Sequence, residues 1–127
     1  MEAVAIVTGL AVIQLFLFSL QVGKMRARHG IKAPAMSGHQ DFERASRVQM
    51  NTVEQLIILL PGLWMFAYYV NPLVAAGLGL VYVIGRFMYQ SAYMADPGKR
   101  SLGFSIGALP MITLVIGGMV GAVLRML

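Results

Sequence analysis

The sequence contains no cysteine among its 127 residues. This absence excludes a disulfide framework, a thiolate metal site and a nucleophilic thiol of the protein's own. Any sulfur chemistry must therefore use a thiol from another molecule. Histidine is almost as scarce, because only His29 and His39 are present and no second ligand pair follows at a metal-binding spacing. We predict no metal site and interpret both histidines as solvated loop residues.

Charged residues are also few, at 12% of the chain, whereas 58% are hydrophobic and the mean hydropathy is +0.74. These values lie outside the range of soluble proteins and predict one integral membrane domain. Acidic residues number 5 against 10 lysines and arginines, which gives a net charge of +5. We expect this positive charge to face anionic lipid head groups, so membrane lipids are the predicted partner and nucleic acid is not.

Four hydrophobic runs are each long enough to cross a bilayer as a helix. The predicted spans cover about 3–23, 42–70, 72–95 and 100–125, with a basic loop over about 24–41. The second span must include polar residues, because its apolar part from Leu56 is too short alone. The first follows Glu2, lacks a small-x-small cleavage site and is predicted to be a retained span. The chain is therefore predicted to be an all-α membrane four-helix bundle.

Basic residues cluster at one end of the predicted helices, and the connection at Asn71 and Pro72 is uncharged. The positive-inside rule therefore puts the basic end in the cytoplasm and both termini on the opposite side. A bacterial inner membrane or a membrane like the endoplasmic reticulum is the expected location. The clustered residues are Lys24, Arg26, Arg28, Lys32, Arg44, Arg47, Lys99 and Arg100.

Polar residues line one face at the start of the second predicted helix. The residues of this face are separated in sequence by three, four and three positions, which confines them to an arc of roughly 80° around the helix. Glu54 is expected to be its buried carboxylate. Gln49 lies roughly 160–200° away and is predicted to face another element, such as a second copy of the chain. The residues of this face are Arg44, Arg47, Asn51 and Glu54.

The third predicted helix repeats the pattern, with Gln90 beside a face of Tyr82, Arg86, Tyr89 and Tyr93. Arg26 and Arg100 end neighbouring helices, so we expect a cationic cluster at one membrane depth around Glu54. Snorkelling arginines and an interfacial aromatic belt are the structural alternative. Helical spacing on both helices favours a site instead, and its complement is a small zwitterion with excess carboxylate.

The stretch FERASRVQMNTVEQ from Phe42 resembles the E-R-x-x-R-x-Q-x-N-x-x-E pattern of membrane-associated proteins in eicosanoid and glutathione metabolism. The likeness begins at FSLQV from Phe18, and continues through GLVYVIGRFMYQSAYM on helix 3 to KRSLG at Lys99. It covers roughly two-thirds of the chain, and three motifs in order are fairly specific.

The resemblance implies a homotrimer that binds glutathione between neighbouring subunits, on the cytoplasmic side. Arg100 matches the position that activates the thiol. Arg86 is implied to hold a carboxylate or to support the other contacts. The implied contacts from one subunit are Arg47, Asn51, Glu54, Tyr89, Tyr93 and Arg100, and those from the next are Arg26 and Gln49.

Three positions indicate which branch of the family the sequence resembles more. Gln55 replaces a tyrosine and Ala27 replaces an arginine of the leukotriene-forming branch, which favours a general transferase over an epoxide-specific synthase. Ser101 matches a serine of the prostaglandin-isomerising branch and is the alternative thiol partner. Arg100 is preferred because its charge stabilises a thiolate, whereas a hydroxyl donates one neutral hydrogen bond.

The predicted function is a membrane glutathione transferase in which a glutathione thiolate attacks an apolar electrophile from the bilayer. Glutathione is thus the expected substrate, and lipid hydroperoxide peroxidase activity is expected to accompany transfer. The alternatives are a non-catalytic lipid-binding scaffold of the same family and a small four-span exporter. An exporter is expected to carry an acid deep within a span, whereas Glu54 lies near one membrane edge.

Overall fold

The computed structural model describes residues 1–127, and its main elements are four long α-helices joined by short connections. Helix α1 covers Glu2–His29, α2 Gln40–Tyr69, α3 Pro72–Ala95 and α4 Ser101–Met126, with a short 3-10 helix at Pro97–Lys99. Each of the four is long and apolar enough to cross a membrane. The predicted all-α fold of four membrane helices is confirmed.

Helix α1 extends further than the sequence pattern predicted. It continues to His29 and ends where Gly30 adopts a left-handed conformation with φ of 66°. Glycine reaches this conformation without steric cost, so it is the natural stop. Lys24, Arg26 and Arg28 therefore lie on the helix, and the predicted loop over 24–41 shrinks to residues 30–39.

The helices pack with α2, α3 and α4 in mutual contact and α1 against α2 and α3. Their core is a continuous cluster of 14 buried residues that includes Leu59, Leu63 and Leu114. Many large apolar side chains point outward instead, such as Ile57 at 70% exposed and Leu73 at 73%. An outer surface of this kind is suited to lipid or to another subunit.

Helices α3 and α4 approach closely because glycines line their contact. A Cβ added to Gly85 would lie 2.5 Å from the amide nitrogen of Gly107. A Cβ on Gly103 would overlap the backbone nitrogen of Tyr89. This contact sets the start of α4 directly against the tyrosine-bearing end of α3.

Two buried polar side chains join helices within the apolar interior. Gln14 on α1 donates to the carbonyl oxygen of Val83 at 2.8 Å. Arg86 is fully buried, and its Nη2 donates to the Thr52 hydroxyl at 2.6 Å. The Thr52 hydroxyl donates in turn to the Val48 carbonyl at 2.7 Å. These bonds fix α1 and α2 against the same half of α3.

Candidate functional site

A polar cavity opens between α2, α3 and the start of α4, and it encloses about 280 Å³. Six predicted site residues line it. This volume is just below the range of ligand pockets, which is about 300–1,000 Å³. The cavity has two guanidinium groups and one carboxylate, so its charge is positive. The lining residues are Arg47, Met50, Asn51, Glu54, Tyr89, Tyr93 and Arg100.

Helical spacing explains why these side chains meet. Arg47, Asn51 and Glu54 follow one another at four and three residues, so they share one face of α2. Tyr89 and Tyr93 are one turn apart on α3, and their ring centroids lie 5.5 Å apart. The two faces converge because α2 and α3 are packed together.

Arg100 sits at the mouth of the cavity, immediately before α4. Its Nη1 donates to the Pro97 carbonyl at 2.9 Å, and its guanidinium lies 5.9 Å from the centre of the Tyr93 ring. The side chain is otherwise exposed, so most of its five N–H donors remain free. Arg100 can therefore stabilise an anion in the cavity.

Arg86 does not line the cavity, so the predicted clustering of Arg26, Arg47, Arg86 and Arg100 around Glu54 is wrong. Its guanidinium stacks on the inner side of Tyr89, 4.1 Å from the ring centre, while Thr52 binds one nitrogen. Nε and Nη1 have no hydrogen-bond partner. Arg86 therefore supports a wall of the site rather than lining it.

Glu54 differs from expectation because its side chain is exposed and forms no ion pair. Its neighbour Gln55 turns into the core instead. The predicted burial of Glu54 is wrong, because only one side of this α2 face is covered within a single chain. An open carboxylate at the cavity rim is free to accept an ammonium group.

Arg26 and Gln49 lie outside the cavity. Arg26 donates to the Ala35 carbonyl at 2.7 Å, and its guanidinium stacks over Phe42 at 4.6 Å. Gln49 donates to the Ser19 hydroxyl at 3.2 Å, so part of its amide is used within its own chain. Neither residue reaches the site of the same chain, and a role in a neighbour's site stays a prediction.

Arg44 lies on the same face of α2 as Arg47 but does not line the cavity. Its Nη1 donates to the carbonyl oxygens of Met94 and Ala95, at 2.9 and 3.1 Å. These carbonyls belong to the last turn of α3, where they have no partner within the helix. Arg44 thus links α2 to the end of α3.

Ser101 lines a second cavity that adjoins the first, and both share Asn51, Tyr89 and Arg100. Phe104 and Ser105 complete its wall. These two residues and Met50 were not predicted, although Met50 lies between Arg47 and Glu54 at helical spacing. The same periodicity could have found it. Ser101 and Arg100 remain neighbouring candidates for one function.

The two histidines lie together: His39 is an exposed loop residue, as interpreted, whereas that interpretation is wrong for His29, which is half-buried at the end of α1. His29 ends α1 and His39 precedes α2, and their rings stack with centroids 3.5 Å apart. Both approach the carboxylate of Asp41. The sequence could not show this arrangement, because it depends on how the connection between α1 and α2 folds back.

A comparison with known families identifies the chain. The sequence model of the MAPEG family matches residues 4–120. The chain belongs to the MAPEG family. The predicted family is confirmed, and the four apolar helices are those of an integral membrane protein.

Several known proteins are similar along most of this chain. An uncharacterized Synechocystis protein is 44% identical over 91% of this chain and 84% of its own. Human microsomal glutathione S-transferase 2 is 42% identical over 87% of this chain and 77% of its own. Leukotriene C4 synthase of Cavia porcellus is 38% identical over 76% of this chain and 64% of its own.

Proposed function

We propose that this protein is a membrane-bound glutathione transferase that activates the glutathione thiol for attack on a lipophilic electrophile. The observation that carries the proposal is the cavity in which Arg47, Asn51 and Glu54 face Tyr89, Tyr93 and Arg100. Similarity to human microsomal glutathione S-transferase 2 supports the same activity. The thiol comes from the substrate, since the chain has no cysteine.

The cavity offers a complement to each charged group of glutathione. Arg47 can bind a carboxylate, Glu54 can accept the ammonium group, and Asn51 and the tyrosines supply neutral hydrogen bonds. Arg100 then stabilises the thiolate at the mouth. The outward apolar surface beside the cavity supports lateral delivery of the electrophile from lipid. The same thiolate can reduce a lipid hydroperoxide, which makes peroxidase activity a companion proposal.

Thiolate formation is the direct test of this function. Glutathione added to the purified protein at neutral pH should give the ultraviolet absorbance of a thiolate, because a cationic cavity favours the ionised form. S-methylglutathione, which cannot ionise at sulfur, should bind without that absorbance. Binding of both compounds with no thiolate absorbance would favour a non-catalytic scaffold and would sink the transferase proposal.

A homotrimer with composite sites is part of the proposal. The small cavity volume and the exposure of Glu54 support a missing wall, and Gln49 and Arg26 of a neighbour are proposed to supply it. Inactive Gln49→Ala chains mixed with inactive Asn51→Ala chains should regain activity, because some interfaces then contain neither substitution. If both variants assemble and no mixing ratio restores activity, the site is not shared.

The active side is proposed to be cytoplasmic, with both termini on the opposite side. The basic residues at the ends of α1 and α2 and before α4 support this orientation. Cysteines introduced at Ser37 and Leu127 should be labelled from opposite faces of sealed vesicles. The native chain supplies no background thiol. Labelling of both positions from one face would exclude this topology.

A further inference from the structure

The connection between α1 and α2 gathers three possible metal ligands that the glutathione site does not use. His29 is the last residue of α1, His39 caps α2 and Asp41 lies in the first turn of α2. Nε2 of His29 is 3.5 Å from Oδ2 of Asp41, and Nδ1 of His39 is 4.0 Å from it. One ligand atom from each of the three lies within 4.8 Å of the others.

The His29 ring carries an unsatisfied polar atom into this cluster. Its side chain is only 18% exposed, and Nε2 is covered without a hydrogen-bond partner. A buried polar atom left without a partner costs about 1–3 kcal/mol. A ligand that bonds to this nitrogen would remove the cost, so ligand binding at the cluster would be favoured.

We propose that His29, His39 and Asp41 form a binding site for a transition-metal dication, of which zinc fits best. Tetrahedral zinc with bonds of about 2.0–2.2 Å holds its ligand atoms roughly 3.3–3.6 Å apart. The His29 contact to Asp41, at 3.5 Å, already has this separation, and the His39 contact, at 4.0 Å, is somewhat longer. Three protein ligands leave a fourth position for water, and the bound ion would tie the end of α1 to the start of α2.

Binding requires a local change at His39. Its Nδ1 now accepts a hydrogen bond from the Asp41 amide at 3.1 Å, which caps α2. The His29 and His39 rings are also parallel within 9°, whereas two lone pairs aimed at one ion require the rings to splay. Metal binding therefore exchanges the His39 cap for a metal bond, and the exposed His39 ring must rotate to make it.

The surrounding charge selects the class of metal. Arg28, Lys32 and Arg44 are close in sequence to the cluster, and Asp41 is its only carboxylate. Magnesium and calcium bind mainly through oxygen ligands and charge, so this environment disfavours them. Imidazole nitrogen instead favours zinc, copper and nickel. Magnesium and calcium are therefore the negative controls.

Zinc titration of the intact protein tests the proposal. Protein without a histidine tag, stripped of metal and held in detergent without glutathione, should take up one zinc per chain in competition with a chromogenic chelator. His29→Gln and His39→Asn should each weaken binding by at least about tenfold, the scale seen even for outer partners of metal ligands. Asparagine keeps an N-cap at position 39, so α2 should still begin normally.

Two further measurements separate a specific site from surface binding. Glu43→Gln removes a nearby acid outside the cluster and should keep the wild-type affinity. Zinc should also raise the thermal stability of the wild type and not that of His29→Gln, because only the folded site binds it. The proposal is overturned if zinc does not bind, if either histidine variant binds zinc as tightly as the wild type does, or if magnesium competes with zinc. None of these results depends on glutathione chemistry.

Discussion

Replacing Arg100 by alanine should leave glutathione bound and abolish most of its ionisation. In the proposed complex the other residues that line the cavity still hold the carboxylates and the ammonium group, whereas the thiol loses the cation proposed to stabilise it. If Arg100 lowers the thiol pKa by about two units, it supplies about 2.7 kcal/mol of preference for the thiolate. At pH 7 the ionised fraction should fall from about three-quarters to about three per cent as the pKa returns to about 8.5.

The rate and the absorbance should respond differently in this variant. A less basic thiolate is also a weaker nucleophile, by roughly six- to tenfold over two pKa units. The lower ionised fraction alone would cost roughly 25-fold at pH 7, and the stronger nucleophilicity of the more basic thiolate reduces this loss to about threefold. We expect a total loss of about tenfold or more, because the guanidinium also positions the sulfur. The rate should recover partly as pH rises towards the pKa of the free thiol.

Neighbouring variants identify the group responsible. Lys99→Ala removes an adjacent charge that does not line either cavity and should leave thiolate absorbance unchanged. Arg100→Lys should restore part of the absorbance, because it keeps the charge without the planar donors. Ser101→Ala should have a smaller effect than Arg100→Ala. Full absorbance and rate in Arg100→Ala, with both lost in Ser101→Ala, would transfer the role to Ser101.

The composition of the cavity was predictable because it depends on periodicity within helices. Residues spaced by three or four share a face in any α-helix, so Arg47, Asn51 and Glu54 had to point together. The helix break at Asp96 and Pro97 then placed Arg100 immediately before the next helix. These inferences needed no knowledge of how the helices pack.

Burial and loop geometry were not predictable on the same basis. Periodicity gives directions relative to other residues of one helix, but not which side a neighbour covers, so Glu54 was wrongly expected to be buried. Arg86 lies beneath Tyr89 because Thr52 binds its guanidinium from α2, a contact 34 residues apart in sequence. The stacking of His29 on His39 likewise depends on the path of residues 30–38 between them.

The close contact between α3 and α4 makes Gly103→Ala a severe substitution. The new Cβ would overlap the Tyr89 nitrogen and lie 2.7 Å from the Tyr89 Cα and 2.8 Å from the carbonyl carbon of Met88. All three are backbone atoms, so relief requires the helices to separate. Overpacking of this kind costs about 1–3 kcal/mol, and more where backbone must shift. The free energy of unfolding should fall although alanine favours helix over glycine.

Gly107→Ala provides the matched control on the same face of α4. Its Cβ would meet Arg86 and Tyr82 at 3.6 Å, which is ordinary contact, so the helix preference of alanine should make this variant neutral or more stable by up to about 1 kcal/mol. Thermal unfolding of both variants in detergent gives the comparison. Equal stability of the two would contradict the backbone contact at Gly103.

Separation of α3 from α4 should also reach the cavity, because Gly103 is only three residues from Arg100 and contacts the backbone of Tyr89. Gly103→Ala is therefore expected to weaken glutathione binding and thiolate formation together, whereas Arg100→Ala lowers thiolate formation and rate but not binding. A displacement of about 1 Å in a positioning element can cost about a hundredfold in rate. Glutathione titration of folded Gly103→Ala below its unfolding temperature, monitored by heat and by thiolate absorbance, separates the two variants. Unchanged affinity and absorbance in that variant would show that the α3–α4 contact stabilises the fold without positioning Arg100.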